Sequence, residues 1–494
     1  MMARQGRSWA FLCRLSTVLC PLSSVLFAAA EEPTPAATYR VVDTGQERCY
    51  DTTREIAYPK PGEPFYGQDA QYQGLPVTYK DNGDGTVSDL TTGLMWQKDP
   101  GEKKTFRQAV AEAPKCKLGG HDDWRLPTIK ELYSLILFSG TDPDPNSVNS
   151  ERMKPFIDTR YFAFKYGDPK RNERIIDSQW ATCTKYVSTT MQGNETMFGV
   201  NFADGRIKGY PAGSPRGRGE KGYYVLYVRG NPSSGTNDFH DNGDGTITDK
   251  ATGLTWQQAD SGKGMNWQEA LAYAEGLTLA GHSDWRLPNA KELQTLVDYT
   301  RSPDTTDSAA INPAFKVTRI QNEGGKLDYP CYWTSTTHAG VFDTSRAAYV
   351  AFGRSLGWMR DPRSGEYNLL DVHGAGSQRS DPKVGDPAQF PRGRGPQGDV
   401  IRIYNHVRCV RGGGAKPRTT GPALAAGNQG PPSPGRRFVQ RLDRDGDGKI
   451  SPKEFDGPAE HFRDFDRNGD GFITEDEAPQ GPPPGREKGP RKGP

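Results

Sequence analysis

After its first thirty residues the chain has no apolar run long enough for a membrane helix, and a mean hydropathy of −0.78 excludes a protein with several spans. Neither sign of charge dominates, with 63 Lys and Arg against 61 Asp and Glu. Arg4, Arg7 and Arg14 fall in residues 1–30, where there is no acid, so the remainder holds 60 basic and 61 acidic residues, a net of −1. A near-neutral chain has no field to steer it onto nucleic acid, which is therefore not expected as a partner. Cysteine is scarce, seven in all, and no Cys-x-x-Cys occurs, which excludes a dithiol redox motif and a cysteine zinc site. Gly-x-Ser-x-Gly, His-Glu-x-x-His and Walker loops are also missing, so nothing in the sequence points to an enzyme.

What is abundant is glycine and proline. The 58 Gly and 39 Pro make up about a fifth of the 494 residues, against an average near 12%, and predict a loop-rich protein. Nine Trp, 21 Tyr and 20 Phe supply enough bulk to exclude general disorder. Residues 1–30 read as a secretory signal peptide. Their basic start precedes the largely apolar Leu15–Ala30, which ends in Ala28-Ala29-Ala30 just before Glu31-Glu32. The expected location is outside the cytoplasm: periplasmic, cell-surface or secreted, with no integral span after cleavage. Cys13 and Cys20 leave with the signal. Cys49, Cys116, Cys183, Cys331 and Cys409 remain, and an oxidising compartment leads one to expect up to two disulfides and one thiol.

An internal duplication organises the rest. Asp81-Asn82-Gly83-Asp84-Gly85-Thr86 recurs as Asp241-Asn242-Gly243-Asp244-Gly245-Thr246, and Thr92-Gly93-Leu94-Met95-Trp96-Gln97 as Thr252-Gly253-Leu254-Thr255-Trp256-Gln257. Gly120-His121-Asp122-Asp123-Trp124-Arg125-Leu126-Pro127 returns as Gly281-His282-Ser283-Asp284-Trp285-Arg286-Leu287-Pro288. The expected divisions are a leader (31–74) packing on the first unit, two like domains (75–232 and 236–412), a Gly/Pro linker (413–435), a small helical module (436–480) and a basic tail (481–494). Each domain opens with a hairpin at the Asn-Gly-Asp-Gly turn. A helix follows, with Phe106, Ala109, Val110 and Ala113, or Trp267, Ala270, Leu271 and Ala274, on its apolar face. A second helix starts at a capping box, Thr128 with Glu131 and Asn289 with Glu292. Phe198–Ile207 and Tyr223–Arg229 read as short strands. The class is α+β with much irregular structure.

The C-terminal module carries two EF-hand loops. Calcium needs six to eight hard oxygens in a twelve-residue loop, with a glycine at the sharp turn. Asp443, Asp445, Asp447, Lys449 (by its carbonyl), Ser451 and Glu454 fill positions 1, 3, 5, 7, 9 and 12, with Gly448 at the turn. Asp466, Asn468, Asp470, Phe472 (by its carbonyl), Thr474 and Glu477 repeat the pattern around Gly471. The expected cofactor is Ca2+. Only the eleven residues 455–465 separate the loops, too few for two full helices, and Pro479 stops the last one, so the pair is compact. The hairpin Asp runs are turns rather than calcium loops, because the positions for ligands 1 and 12 hold Lys80 and Thr91, or His240 and Ala251.

Two other features are candidates for chemistry. Trp124 and Trp285 could stack on sugars while Arg125 and Arg286 pair with anions, but their place just before a capping box favours a buried structural role, and His121 and His282 are read the same way. Pro215-Arg216-Gly217-Arg218-Gly219 and Pro391-Arg392-Gly393-Arg394-Gly395 match part of a dinucleotide fingerprint without its strand-to-helix setting. They are basic loops, and Arg216, Arg218, Arg392 and Arg394 are the candidate ligands for an anionic or sulfated polysaccharide.

The run from Thr44-Gly45-Gln46 through Thr-Gly-Leu-Met-Trp-Gln to Asp-Trp-Arg-Leu-Pro-Thr resembles the Lcl C-terminal-domain family of exported bacterial proteins, in two copies over about residues 40–412. The resemblance implies a C-type-lectin-like fold, and the family's named member is a collagen-like adhesin for sulfated glycosaminoglycans. It therefore implies a non-enzymatic adhesin-like or polysaccharide-binding protein. The chain has no Gly-x-y collagen stretch, so collagen-type trimerisation is not expected. The alternative is an envelope or matrix protein that self-associates, or binds envelope proteins, through calcium. Formylglycine-generating enzymes have a similar Arg-Leu-Pro-Thr segment, but their paired cysteines have no match here, since Cys331 and Cys409 occur only in the second copy.

Overall fold

The computed structural model describes residues 37–145, 147, 150, 152–215, 219–341, 343–424 and 434–479. The signal segment and the basic tail 481–494 lie outside the described residues. The first copy runs β1 (Tyr79–Asp81), β2 (Thr86–Asp89), β3 (Leu94–Gln97), α1 (Phe106–Glu112), α2 (Ile129–Ser134), β4 (Gln179–Thr190), β5 (Asn194–Asn201), β6 (Arg206–Pro211) and β7 (Val228–Gly230). The second runs β8 (Phe239–Asp241), β9 (Thr246–Asp249), β10 (Leu254–Gln257), α3 (Trp267–Glu275), α4 (Ala290–Thr295), β11 (Cys331–Thr337), β12 (Arg346–Ala351), β13 (Leu356–Arg360), β14 (Tyr367–Asp371), β15 (Gln378–Pro382) and β16 (Val410–Gly412). The β13–β14 hairpin is an insertion of the second copy.

Each copy builds a four-stranded antiparallel sheet, in the order β7-β3-β2-β1 or β16-β10-β9-β8. The turns close as the Asn-Gly-Asp-Gly run requires. Gly83 and Gly85 sit at φ +78° and +87°, where side chains are disfavoured. Asp81 accepts from the Gly83 amide (3.0 Å), and Asp84 accepts from the Thr86 amide (3.0 Å) and hydroxyl (2.6 Å). These carboxylates are spent on the turn itself.

The remaining long strands of the two copies do not form separate sheets. β6 pairs with β15, Ile207 opposite Gln378, so one six-stranded antiparallel sheet runs β11-β12-β15-β6-β5-β4. Its apolar core is shared as well: Trp96, Ile129 and Leu132 of the first copy join Trp256, Leu293 and Val297 of the second. α2 and α4 meet over this sheet, each opened by its expected capping box.

Several expectations are corrected. Phe198–Ile207 is the end of β5, a turn and the start of β6. Gly205, at φ +66°, closes the turn against the Phe156 ring, where a Cβ would come within 2.5 Å. Val110 is 48% exposed while its counterpart Leu271 is buried, so α1 contributes less to the core than α3. The leader lies mainly on the second copy. Gln46 exchanges hydrogen bonds with the backbone of Thr337 (2.7 and 2.9 Å), Thr336 donates to Asp69 (2.6 Å), and Tyr72 donates to Glu275 (2.8 Å). These acceptors and donors on β11 and α3 are matched to the leader in a way no sequence spacing signals. Part of the linker is also tied down, Lys416–Pro417 pairing with Tyr72–Gln73. The expected disulfides are not formed: all five cysteines are free, including Cys331 and Cys409, which share one core cluster. Burial pushes the Cys49 and Cys331 thiols up to about 12.

Candidate calcium sites and a shared cavity

The C-terminal module consists of α5 (Pro434–Leu442), α6 (Ala459–Phe465) and two loops. Val439, Leu442, Ile450, Phe462 and Ile473 form its core. Ile450 and Ile473 exchange two backbone hydrogen bonds, both 2.9 Å, and thereby couple the loops. Gly448 and Gly471, at φ +85° and +86°, make the turns. The amides of Gly446 and Gly448 donate to the two oxygens of Asp443 (2.6 and 2.8 Å), which draws Asp443, Asp445 and Asp447 together with oxygens within 4.8 Å of one another. Glu454 accepts from the Arg444 amide (2.8 Å) and from the amide and hydroxyl of Ser451 (both 2.8 Å). Glu477 does the same with Asn468 (3.1 Å) and Thr474 (3.0 and 2.7 Å).

A cation suits this arrangement. Burial, with Asp447 and Glu454 nearby, raises the Asp443 carboxyl above its usual range. Asp466 keeps one buried oxygen with no hydrogen-bond partner among the described residues, the kind of donor a hard cation takes. Lys449 and Phe472 serve only through backbone carbonyls.

The basic loops come out unequally. Arg216 and Arg218 lie outside the described residues. Arg392 rests 4.3 Å above the Tyr367 ring of the inserted hairpin, so its charge is partly taken up in a cation–π contact. Arg394 makes no ion pair among the described residues, lies over the Phe390 ring at the longer distance of 5.6 Å, and lines a cavity of about 950 Å³. Pro215 and Lys221, flanking the first basic loop, line the same cavity. Described residues of both copies, far apart in sequence, therefore line one space on the shared sheet.

The floor of that space was not foreseen. Arg206 and Lys208 of β6 and Arg379 and Asp381 of β15 face into it. Arg206 grips Asp142 with two bonds (2.7 and 2.6 Å) and donates to Ser380 (3.0 Å). His338 donates from Nε2 to the Asp204 carbonyl (2.9 Å), which leaves Nδ1 to accept from Ser380 (3.0 Å). Asp399 accepts from His373 (2.7 Å) and from Arg379. Burial and the Arg206 charge push His338 down to about 3, and burial and Arg379 push His373 down to about 4, so both imidazoles are neutral. Burial alone would raise Asp142, but Arg206 holds it well below the usual carboxylate range. The signal present in the sequence was charge at alternate positions, Arg206/Lys208 and Arg379/Asp381, the period of a strand with one polar face.

The Trp-Arg-Leu-Pro elements are structural. Trp124 and Trp285 are buried and donate to the carbonyls of Leu118 (3.0 Å) and Leu279 (3.2 Å), so their faces are unavailable for stacking. Arg125 and Arg286 bind Glu131 and Glu292 with two bonds each, 2.6–2.8 Å, and the same glutamates complete the capping boxes. Cys331 and Cys409 are buried.

A duplicated α+β body followed by a paired-loop calcium module defines the class of this protein. The chain belongs to the Lcl C-terminal domain family, whose model matches residues 85–229 and 245–372. An EF-hand model matches residues 440–456 and 459–477 and points to calcium binding. No curated protein and no solved structure matched the chain.

Proposed function

We propose that this is an exported, non-enzymatic binding protein of C-type-lectin-like fold that holds an anionic polysaccharide at the shared cavity and carries Ca2+ on Asp443, Asp445, Asp447, Ser451, Glu454 and their counterparts in the second loop. The observation that carries the reading is one cavity lined by Arg394 of the second basic loop together with Arg379 of the shared sheet and Lys221 of the first copy, with Arg394 free of any ion pair among the described residues. Oxyanions are the chemistry that guanidinium donors recognise best. The burial of Cys331, with its thiol pushed up to about 12, supports binding over thiol oxidation chemistry.

The test is binding of the chain from residue 31 onward to sulfated, uronate and neutral polysaccharides, with calcium and with chelator. Saturable, salt-sensitive binding to the acidic polymers, weakened by Arg394→Ala, is expected. Binding to none of them, with calcium-dependent self-association instead, would replace this reading with an assembly role.

A further inference from the structure

The cavity has three walls from three parts of the chain, and each presents a guanidinium. Arg379, 9% exposed, stands on the floor. One of its nitrogens bonds Asp399, while Nε and Nη1 have no partner among the described residues. Buried donors left unmatched are costly, and a guanidinium in such a state is prepared for an acceptor. Arg394 stands on the second wall, from the basic loop. The third wall is the calcium module itself: Gln440 and Arg441, in the last turn of α5, line the cavity just ahead of the first calcium ligand, Asp443. The Arg441 guanidinium lies over the Phe438 ring at 5.4 Å and 3.8 Å from Asp456, two residues beyond Glu454. The module is fastened there, since the Ser147 hydroxyl donates to the carbonyl of Arg444 inside the first loop (3.0 Å).

We infer that the cavity takes a single oxyanion group, sulfate or carboxylate, clamped by Arg379 and Arg394, and that calcium in the first loop sets Arg441 as the third cation, so that anion and calcium binding reinforce each other. This rests on the polysaccharide reading for the source of the anion, but its chemistry is that of the group alone. A calcium ion held by Asp443, Asp445, Asp447 and Glu454 would fix the loop that runs from the end of α5 at Leu442 to Asp456, the partner of Arg441. The position of Arg441 is therefore set by whether the loop is closed. Reciprocity then requires the anion to tighten calcium by the factor with which calcium tightens the anion.

Calcium titration by calorimetry, with and without saturating inorganic sulfate, reads this linkage on the chain from residue 31 onward. The expected result is a calcium affinity at one loop raised about fivefold or more by sulfate, within the usual range of coupled sites. Arg441→Ala, at an exposed position, is expected to keep both binding events and lose the linkage. Arg394→Ala is expected to weaken sulfate with and without calcium, and it serves where Arg379→Met fails to fold. A calcium affinity unmoved by sulfate, or a linkage that survives Arg441→Ala, would overturn the inference. Sulfated polysaccharide bound without any linkage would leave the functional reading standing and remove this one. Sulfate linked to calcium, with no polysaccharide bound, would do the reverse.

Discussion

Lys130 and Lys291, at equivalent positions of the two copies, exchange helix ends. Lys130 donates to the carbonyl of Thr295 (2.7 Å), the last residue of α4, and Lys291 donates to the carbonyl of Ser134 (2.8 Å), the last residue of α2. Each ammonium has a second acceptor, Asn237 for Lys130 and the Asp43 carbonyl for Lys291, both at 2.8 Å. A cation at a helix C-terminus meets the negative end of the dipole and satisfies an orphan carbonyl. The two copies are thus pinned to each other by a reciprocal pair of contacts.

Burial pushes both lysines down to about 8, while the unfolded chain titrates them near 10.4. Between these values the unfolded state holds protons that the folded state has released, so these two groups make stability rise with pH. The cost of burying the charges is fully present below pH 8 and relieved above it. Urea midpoints at pH 7, 8, 9 and 10 should show wild type gaining on Lys130→Met/Lys291→Met as pH rises. Tyrosine ionisation is common to both proteins and cancels. A constant difference across the series would rule out the buried-ammonium account.

The two Trp-Arg-Leu-Pro arginines should weigh alike despite their different exposure. The Arg286 side chain is 5% exposed and that of Arg125 is 35% exposed, but the glutamates they bind are both buried, Glu292 at 7% and Glu131 at 1%. Removing one partner of a buried pair strands the other charge, at about 3–5 kcal/mol. Arg125→Met is therefore expected to lower the urea midpoint about as much as Arg286→Met. A small loss for Arg125→Met beside a large one for Arg286→Met would show that the exposure of the arginine, and not the stranded glutamate, sets the cost.

Calcium should order the C-terminal module through both loops at once. Glu454→Gln is expected to cut affinity at the first loop by about tenfold or more, since it removes the carboxylate that closes the coordination. It should also weaken the second loop, because Ile450 and Ile473 share a two-bond bridge. In wild type, calcium at a hundredfold above its Kd adds about 2.7 kcal/mol per site. Hydrogen exchange over residues 434–479, with calcium and with chelator, reads this directly. Exchange that calcium does not slow would exclude loading of these loops.

The turns, caps and calcium loops were legible because each is decided within a few residues. Asn-Gly-Asp-Gly needs only its own carboxylates and positive-φ glycines, and Thr128 with Glu131 closes a helix end three residues long. The same holds for the family membership, which rests on such local motifs. The cavity was half legible. Arg392 and Arg394 were visible alike as charges in a glycine-rich loop, and only the fold placed Arg394 on the cavity and Arg392 on the Tyr367 ring of the inserted hairpin. Arg379 carried no local signal beyond a charge alternating with Asp381.

By itself, then, the sequence determined the repeat, the local devices that open and close its elements, and the calcium ligands, all of which depend on neighbours along the chain. Only the tertiary structure decided that β6 and β15 share one sheet, that the leader lies on the second copy, and that Lys130 and Lys291 reach across to each other's helix. Those pairings join residues more than a hundred positions apart. They are selected by which buried donors and acceptors find partners when the whole core closes, a condition that no local pattern carries.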